Sequence, residues 1–214
     1  MRRSAVTCRL GVLLSGSGTN MENIARHIEE GKLDASIEVV ISDRKDAYGL
    51  VRAKKRGIRA VFVDPASFPD RESYDRELVR ILEEHRVDLV ILAGYMRLVS
   101  KPFLEAFPMK VMNIHPALLP AFPGTSGVAD ALEYGVKVTG VTVHFVDEGV
   151  DTGPIILQEA VPVLPTDDVD TLHQRLHQVE YRLYPEAIRL FCQGRLKVEG
   201  RKVRILEDET RGRG

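Results

Sequence analysis

Three short stretches of the chain carry residue types suited to chemistry. The first is Asn113-Ile114-His115-Pro116. On an extended strand, residues i and i+2 project to the same side, so an amide and an imidazole stand together at Asn113 and His115. Pro116 ends the strand and biases His115 toward extended backbone. Such a pair can donate to an oxygen that gains negative charge. It also fits a capped strand end with a satisfied histidine, and spacing alone does not choose. The second stretch is Ser15-Gly16-Ser17-Gly18-Thr19-Asn20, between an apolar run and a helical pattern. Backbone N–H groups at a strand-to-helix turn, with the helix dipole, suit a phosphate. No Gly-Lys-Ser/Thr follows, and Met21 stands where a dinucleotide fingerprint needs glycine. A monophosphate therefore fits better than a pyrophosphate, and the plain alternative is a tight turn with a helix cap. The third stretch is acidic: Asp147, Glu148 and Asp151 follow His144. A carboxylate near His115 would favour an imidazolium and move protons. Three acids in five residues also make an ordinary solvated turn. His115, His144 and these acids as metal ligands are a further alternative, but no H-E-x-x-H spacing supports it, and no metal is expected.

Other residues are less specific. Gly94-Tyr95-Met96-Arg97 sets apolar side chains beside a lone arginine. That combination suits a flat ligand with a carboxylate tail, or plain packing next to a surface arginine. Arg71 opens a helical pattern and pairs with a ligand carboxylate or with its own helix. His27, His85 and His173 read as solvated helix positions.

The elements that must position these residues alternate. Apolar runs predict strands at 9–14, 37–42, 59–63, 87–93 and 110–114. Helical spacing predicts helices at 20–31, 47–56 and 71–85, with Gly31 and Gly57 just past two of their ends. Residues 138–146 alternate through Val141, Val143 and Phe145, which predicts a half-exposed strand with an antiparallel neighbour at 154–163. One long helix is predicted over 169–193, and a weak hairpin follows Gly194. Strand–helix–strand repetition predicts an α/β fold, a doubly wound and mostly parallel sheet with an antiparallel edge. No linker or repeat interrupts 1–214, so one domain is expected, in two halves at 8–110 and 111–200.

Composition excludes several classes. The chain has 214 residues, 44% hydrophobic and 29% charged, which is ordinary for a folded globular protein. Lys plus Arg is 30 and Asp plus Glu is 31, a formal charge of -1. That balance lacks the basic excess of a nucleic-acid binder, and the tail from Gly194 adds too few cations to change it. Two cysteines, Cys8 and Cys192, cannot build a disulfide framework, and a reducing cytoplasm is expected. Met1-Arg2-Arg3 starts like a signal peptide, but Arg9 interrupts the apolar run and no cleavage pattern follows. No stretch approaches the roughly 20 apolar residues of a membrane span.

Taken together, S-G-S-G-T-N at 15–20, A-G-Y-M-R at 93–97, N-I-H-P-A-L-L-P at 113–120 and T-G-V-T-V-H-F-V-D-E-G-V-D-T-G-P at 139–154 resemble the phosphoribosylglycinamide formyltransferase family. The likeness runs from residue 9 to residue 200. It implies a Rossmann-like formyltransferase fold and formyl transfer from 10-formyltetrahydrofolate to glycinamide ribonucleotide in purine biosynthesis. It also implies small-molecule partners, no nucleic acid or membrane, and a monomer or homodimer. By the same resemblance Asn113, His115 and Asp151 are the catalytic trio. Gly18, Thr19 and Asn20 hold the substrate phosphate and ribose, with Glu180 on the ribose. Arg71, Met96, Arg97, Leu98 and Val99 bracket the folate, and backbone at Val146 and Asp147 reads the pterin. The chain departs from the family at Thr125-Ser126, where many members have a histidine after the loop glycine, and at His177, where glutamine is common. A formyltetrahydrofolate hydrolase shares the trio but carries an extra N-terminal domain. A methionyl-tRNA formyltransferase is longer. A non-catalytic nucleotide-binding module is the alternative from another class, and the intact trio speaks against it.

Overall fold

The computed structural model describes residues 7–207. The chain divides between Asn113 and Ile114 into two compact units. In the first, strands β1 (Cys8–Leu14), β2 (Ala35–Ser42), β3 (Arg59–Phe62), β4 (Leu89–Leu92) and the start of β5 (Val111–His115), whose last two residues belong to the second unit, alternate with helices α1 (Thr19–Glu29), α2 (Tyr48–Lys55), α3 (Arg71–Glu84) and α4 (Lys101–Ala106). The strands are parallel in the order β3-β2-β1-β4-β5. The central strands form because their apolar runs are covered on both faces: β4 is buried at every position, and Leu10, Val12, Leu13 and Leu14 of β1 are fully buried. The strand order reverses direction between β1 and β4. Ligands bind at the carboxyl ends of strands at such a reversal, and there the loops 15–18 and 93–100 begin.

The second unit contains α5 (Gly127–Tyr134), β6 (Val138–Phe145), β7 (Ile155–Pro162), α6 (Val169–Cys192), β8 (Leu196–Glu199) and β9 (Lys202–Ile205). β6 and β7 are antiparallel from Val138↔Pro162 to His144↔Ile155. β8 and β9 form an antiparallel hairpin, and β9 joins β7 through one parallel pair, Ile155↔Lys202. α6 starts in a capping box: Asp168 accepts from the Thr171 N–H while Thr171 Oγ1 accepts from the Asp168 N–H. Pro185 sits inside this 24-residue helix.

The α/β class, the parallel strands and the antiparallel pair were legible beforehand. Three features differ. β6 is buried on both faces except at Val138, not half-exposed. Its polar face, Thr142 and His144, bonds within the protein instead of meeting water. His27, His85 and His173 are half-buried, and His27 and His85 bond to the carbonyls of Asn23 and Ile81 one turn back. Finally, α4, α5 and a 3-10 turn at Pro65–Ser67 were not expected, being too short to show a period. Among the described residues no helix is long and apolar enough to cross a membrane.

Candidate active site

The loop Ser15–Asn20 leaves β1 and enters α1. Gly18 caps the helix at φ 74, ψ 27, in left-handed backbone. A Cβ there would stand 2.6 Å from the Gly49 Cα, so both positions require glycine. Gly49 in turn donates to the Gly16 carbonyl at 3.0 Å, and Arg52 Nε donates to the Ser17 carbonyl at 2.9 Å. The loop is thus pinned by α2 from one side. From the other, the Ser15 N–H donates to the Gly94 carbonyl (3.0 Å) and Ser15 Oγ accepts from the Met96 N–H (2.9 Å). The first N–H groups of a helix have no intrahelical partner, and α1 begins at Thr19, Asn20 and Met21. This turn offers donors to an anion without using a cationic side chain.

The segment after β4 differs in exposure along its length. Met96 and Leu98 are 63% and 52% exposed, while Val99 is buried. Arg97 is half-buried, its guanidinium 5.4 Å from the Tyr74 ring and its Nε buried with no hydrogen-bond partner. Beneath it the Ser100 N–H donates to the buried Asp75 carboxylate at 2.5 Å. Burial pushes Asp75 above the usual carboxylate range, against that bond and the charges of Arg71 and Arg97. Burial likewise takes the Tyr74 hydroxyl up to about 12. Exposed apolar side chains beside an arginine match the chemistry of an aromatic ligand bearing a carboxylate. Arg71 is exposed at the first position of α3, capped by Asp70.

Strand β5 carries Asn113, half-buried, and His115, 4% exposed. In the second unit His115 meets the acidic loop. Its Nδ1 lies 3.5 Å from Asp151 Oδ2, and its Nε2 lies 2.6 Å from the Phe122 carbonyl. His144, on β6, approaches the other carboxylate oxygen: Nε2 to Asp151 Oδ1 is 3.6 Å, with Nδ1 2.8 Å from the Phe145 carbonyl. The Gly124 N–H adds a bond to Asp151 Oδ2 at 2.8 Å. A carbonyl only accepts, so Nε2 of His115 and Nδ1 of His144 carry protons. A neutral imidazole would then point a lone pair at Asp151, whereas an imidazolium points a proton. Burial acts to raise the Asp151 carboxyl, but the His144 bond, the Gly124 N–H and the charges of His115 and His144 outweigh it. The net shift is downward. The carboxylate therefore stays ionised.

Supporting residues explain the placement. A Cβ on Gly127 would fall 3.2 Å from His115 Nε2 and 3.1 Å from the Phe122 oxygen. Thr142 Oγ1 donates to the Ala117 carbonyl (2.7 Å) and accepts from the Leu119 N–H (3.1 Å) and Gln158 Nε2 (2.9 Å). These bonds tie the segment after β5 to β6. Asp151 itself sits at φ 53, a conformation non-glycine residues adopt only under local constraint.

Of the residues singled out by sequence, His115 and Asp151 are brought together. Val146 and Asp147 are half-buried in the same loop, where Asp147 Oδ1 accepts from Thr152 Oγ1 (2.5 Å) and the Gly149 N–H (3.1 Å). Glu180 is buried on α6 and takes a 2.7 Å bond from His177 Nδ1. His144 was left outside the expected set, although it stands two residues from Thr142 on the polar face of β6. Among the described residues no group of three or more His, Cys, Asp and Glu could hold a metal ion.

Residues 8–188 match the formyl transferase family model. The chain is similar to a solved structure of glycinamide ribonucleotide transformylase 1 from Symbiobacterium toebii, with 56% identity, TM-score 0.95, and 97% and 98% of the two chains covered. It is 41% identical to the phosphoribosylglycinamide formyltransferase of Bacillus subtilis over 85% of this chain and 93% of that protein. It is 46% identical over 191 residues to the trifunctional purine biosynthetic protein adenosine-3 of Drosophila pseudoobscura, covering 88% of this chain but spanning only 14% of that protein's length.

Proposed function

This chain belongs to the formyl transferase family, and we propose that it moves the formyl group of 10-formyltetrahydrofolate to the amino group of glycinamide ribonucleotide. The observation that carries the reading is the ionised Asp151 held between His115 and His144, each with its far nitrogen committed to a carbonyl. This is an arrangement for moving a proton, with no nucleophilic side chain in it. The choice of acceptor is supported by the relatives' names and by the anion-binding turn at 15–20.

The donor supplies an electrophilic formyl carbon. Gly18, Thr19 and Asn20 present N–H groups to the ribonucleotide phosphate and ribose, and Glu180 accepts from a ribose hydroxyl. Arg71, Met96, Arg97, Leu98 and Val99 bracket the folate, with the Arg97 guanidinium charge for its carboxylate. Backbone at Val146 and Asp147 reads the pterin. Asn113 and His115 donate to the oxygen that gains charge as the amine attacks. His115 Nε2 is engaged by the Phe122 carbonyl, so that carbonyl must yield as the reacting oxygen arrives. As the tetrahedral carbon collapses, its bond to the folate nitrogen N10 breaks, and Asp151 takes part in moving the proton from the attacking nitrogen to that leaving nitrogen.

The test is acceptor choice. Incubated with 10-formyltetrahydrofolate and glycinamide ribonucleotide, the protein turns over folate only when the ribonucleotide is present. Equal turnover in water alone would identify a hydrolase instead.

A further inference from the structure

The β8–β9 hairpin bears none of the residues assigned so far, yet it reaches the loop that carries Asp151. Arg201, in the turn between its strands, donates from Nη2 to the Thr152 carbonyl at 2.7 Å, across 49 residues of sequence. Next to it, Lys202 pairs with Ile155, the first residue of β7. The tip of the hairpin therefore sits where the acidic loop re-enters the sheet.

That loop is fixed at several points. The Phe145 N–H donates to the Pro154 carbonyl at 2.9 Å and closes its base. A Cβ on Gly153 would stand 1.7 Å from the Phe145 oxygen, so the chain passes there without clearance. The Thr152 side chain bonds to Asp147. These contacts hold the ends of residues 146–154 and the Asp147 and Thr152 side chains, and the Gly124 N–H holds the Asp151 carboxylate. The peptide plane between Thr152 and Gly153 is turned by another contact, the Arg201 bond to its oxygen. Asp151, one residue earlier, has a left-handed backbone that persists only where its surroundings over-determine it.

We propose that Arg201 is a positioning residue: by holding the Thr152 carbonyl it fixes the Asp151 backbone, and with it the distances from the carboxylate to His115 and His144. The inference rests on the reading of Asp151 as the proton-handling carboxylate. Arg201 is exposed, so removing it leaves a carbonyl that water can satisfy, and the fold loses little. Catalysis is more sensitive, because displacements of about 1 Å at a reacting group cost up to about 10²-fold.

The experiment compares Arg201→Ala, Arg201→Lys and Asp151→Asn in the full chain, by steady-state kinetics and by amide exchange over residues 148–153. Arg201→Ala lowers kcat by roughly 3- to 30-fold and leaves the ribonucleotide KM within about twofold. Lysine, which keeps one donor, recovers a large part of that loss. Exchange at 148–153 speeds up while the melting temperature holds. A kcat for Arg201→Ala within about 1.5-fold of wild type, with Asp151→Asn inactive, overturns the positioning role and leaves the proposed function standing. Full activity in Asp151→Asn defeats the catalytic reading itself. Exchange then decides whether Arg201 holds the loop: faster exchange keeps the clamp, and unchanged exchange removes it.

Discussion

At the scale of single residues, the site depends on where two protons sit. Asp151 faces two imidazoles whose outer nitrogens are both bonded to carbonyls, and its negative charge stands 3.5 Å from the inner nitrogen of His115. Asp151→Asn keeps the shape and removes that charge. Its turnover number should fall by roughly 10²–10⁴, with ribonucleotide affinity little changed. Asn113→Ala should cost a similar ~10²–10³ through one lost donor. The double variant should lose less than the product of the two, since both act on one transition state. A single Asp151→Asn enzyme within threefold of wild type would make this loop a solvated turn. A second titrating pair lies on α6. His177 is held above the ordinary histidine value by its bond to Glu180, against burial, while His173, stacked 4.1 Å away, is held down by burial and by the His177 charge. A folded value above the unfolded one means stabilisation that is complete below about pH 6.5 and lost as pH rises through the folded value. Wild type should therefore exceed His177→Gln in unfolding free energy by about 0.5–1 kcal/mol more at pH 5.5 than at pH 8.5. Denaturant melts at the two pH values measure this, and an equal gap at both would show that the His177–Glu180 pair carries no net stability.

At the scale of elements, the phosphate turn is built by glycine packing, and that can be tested separately from the acid–base site. Gly18→Ala forces a Cβ to 2.6 Å from Gly49 at φ 74, which should cost about 1–3 kcal/mol, or roughly 2–4 °C of melting temperature per kcal/mol. It should also raise the ribonucleotide KM more than tenfold while leaving the folate KM within about threefold. Gly16→Ala meets nothing within 4 Å and should be near neutral in stability. If Gly18→Ala moved both KM values equally, the turn would be a fold device rather than a subsite. These elements were largely legible in the sequence: long apolar runs and 3.6-residue spacing announce strands and helices well. What was missed follows from physics that period alone does not carry. α4 and α5 have only 6 and 8 residues, too few for a visible stripe. β6 alternates, but its polar face turns inward because Thr142 and His144 find partners at Ala117, Leu119, Gln158, Phe145 and Asp151. Alternation read as one wet face hid His144 from the expected site. The left-handed Asp151 and the reach of Arg201 back to Thr152 depend on contacts 27 and 49 residues away, beyond any local pattern.

At the scale of the whole molecule, charge balance has a kinetic consequence. The ribonucleotide carries a phosphate, yet the chain has a formal charge of -1. Many of its cations are already paired: Arg9 with Asp88, Arg56 with Glu22 and Glu29, Arg80 with Glu77 and Glu84, Arg182 with Glu159. Paired surface charges cast little field beyond a Debye length of about 8 Å at physiological salt. On the proposed reading the anion is met at short range by backbone N–H groups at the start of α1. Long-range steering, where it operates, raises association by 10–10³-fold and collapses with salt. None is expected here. Between about 0.02 and 0.2 M monovalent salt, kcat/KM for the ribonucleotide should change by less than roughly threefold, with viscosity and the folate concentration held constant. Arg52 is bonded to the Ser17 carbonyl and, with Lys55, lies over the Tyr48 ring. A tenfold or larger fall with salt, abolished in Arg52→Gln, would show that these residues guide the phosphate in before the backbone holds it.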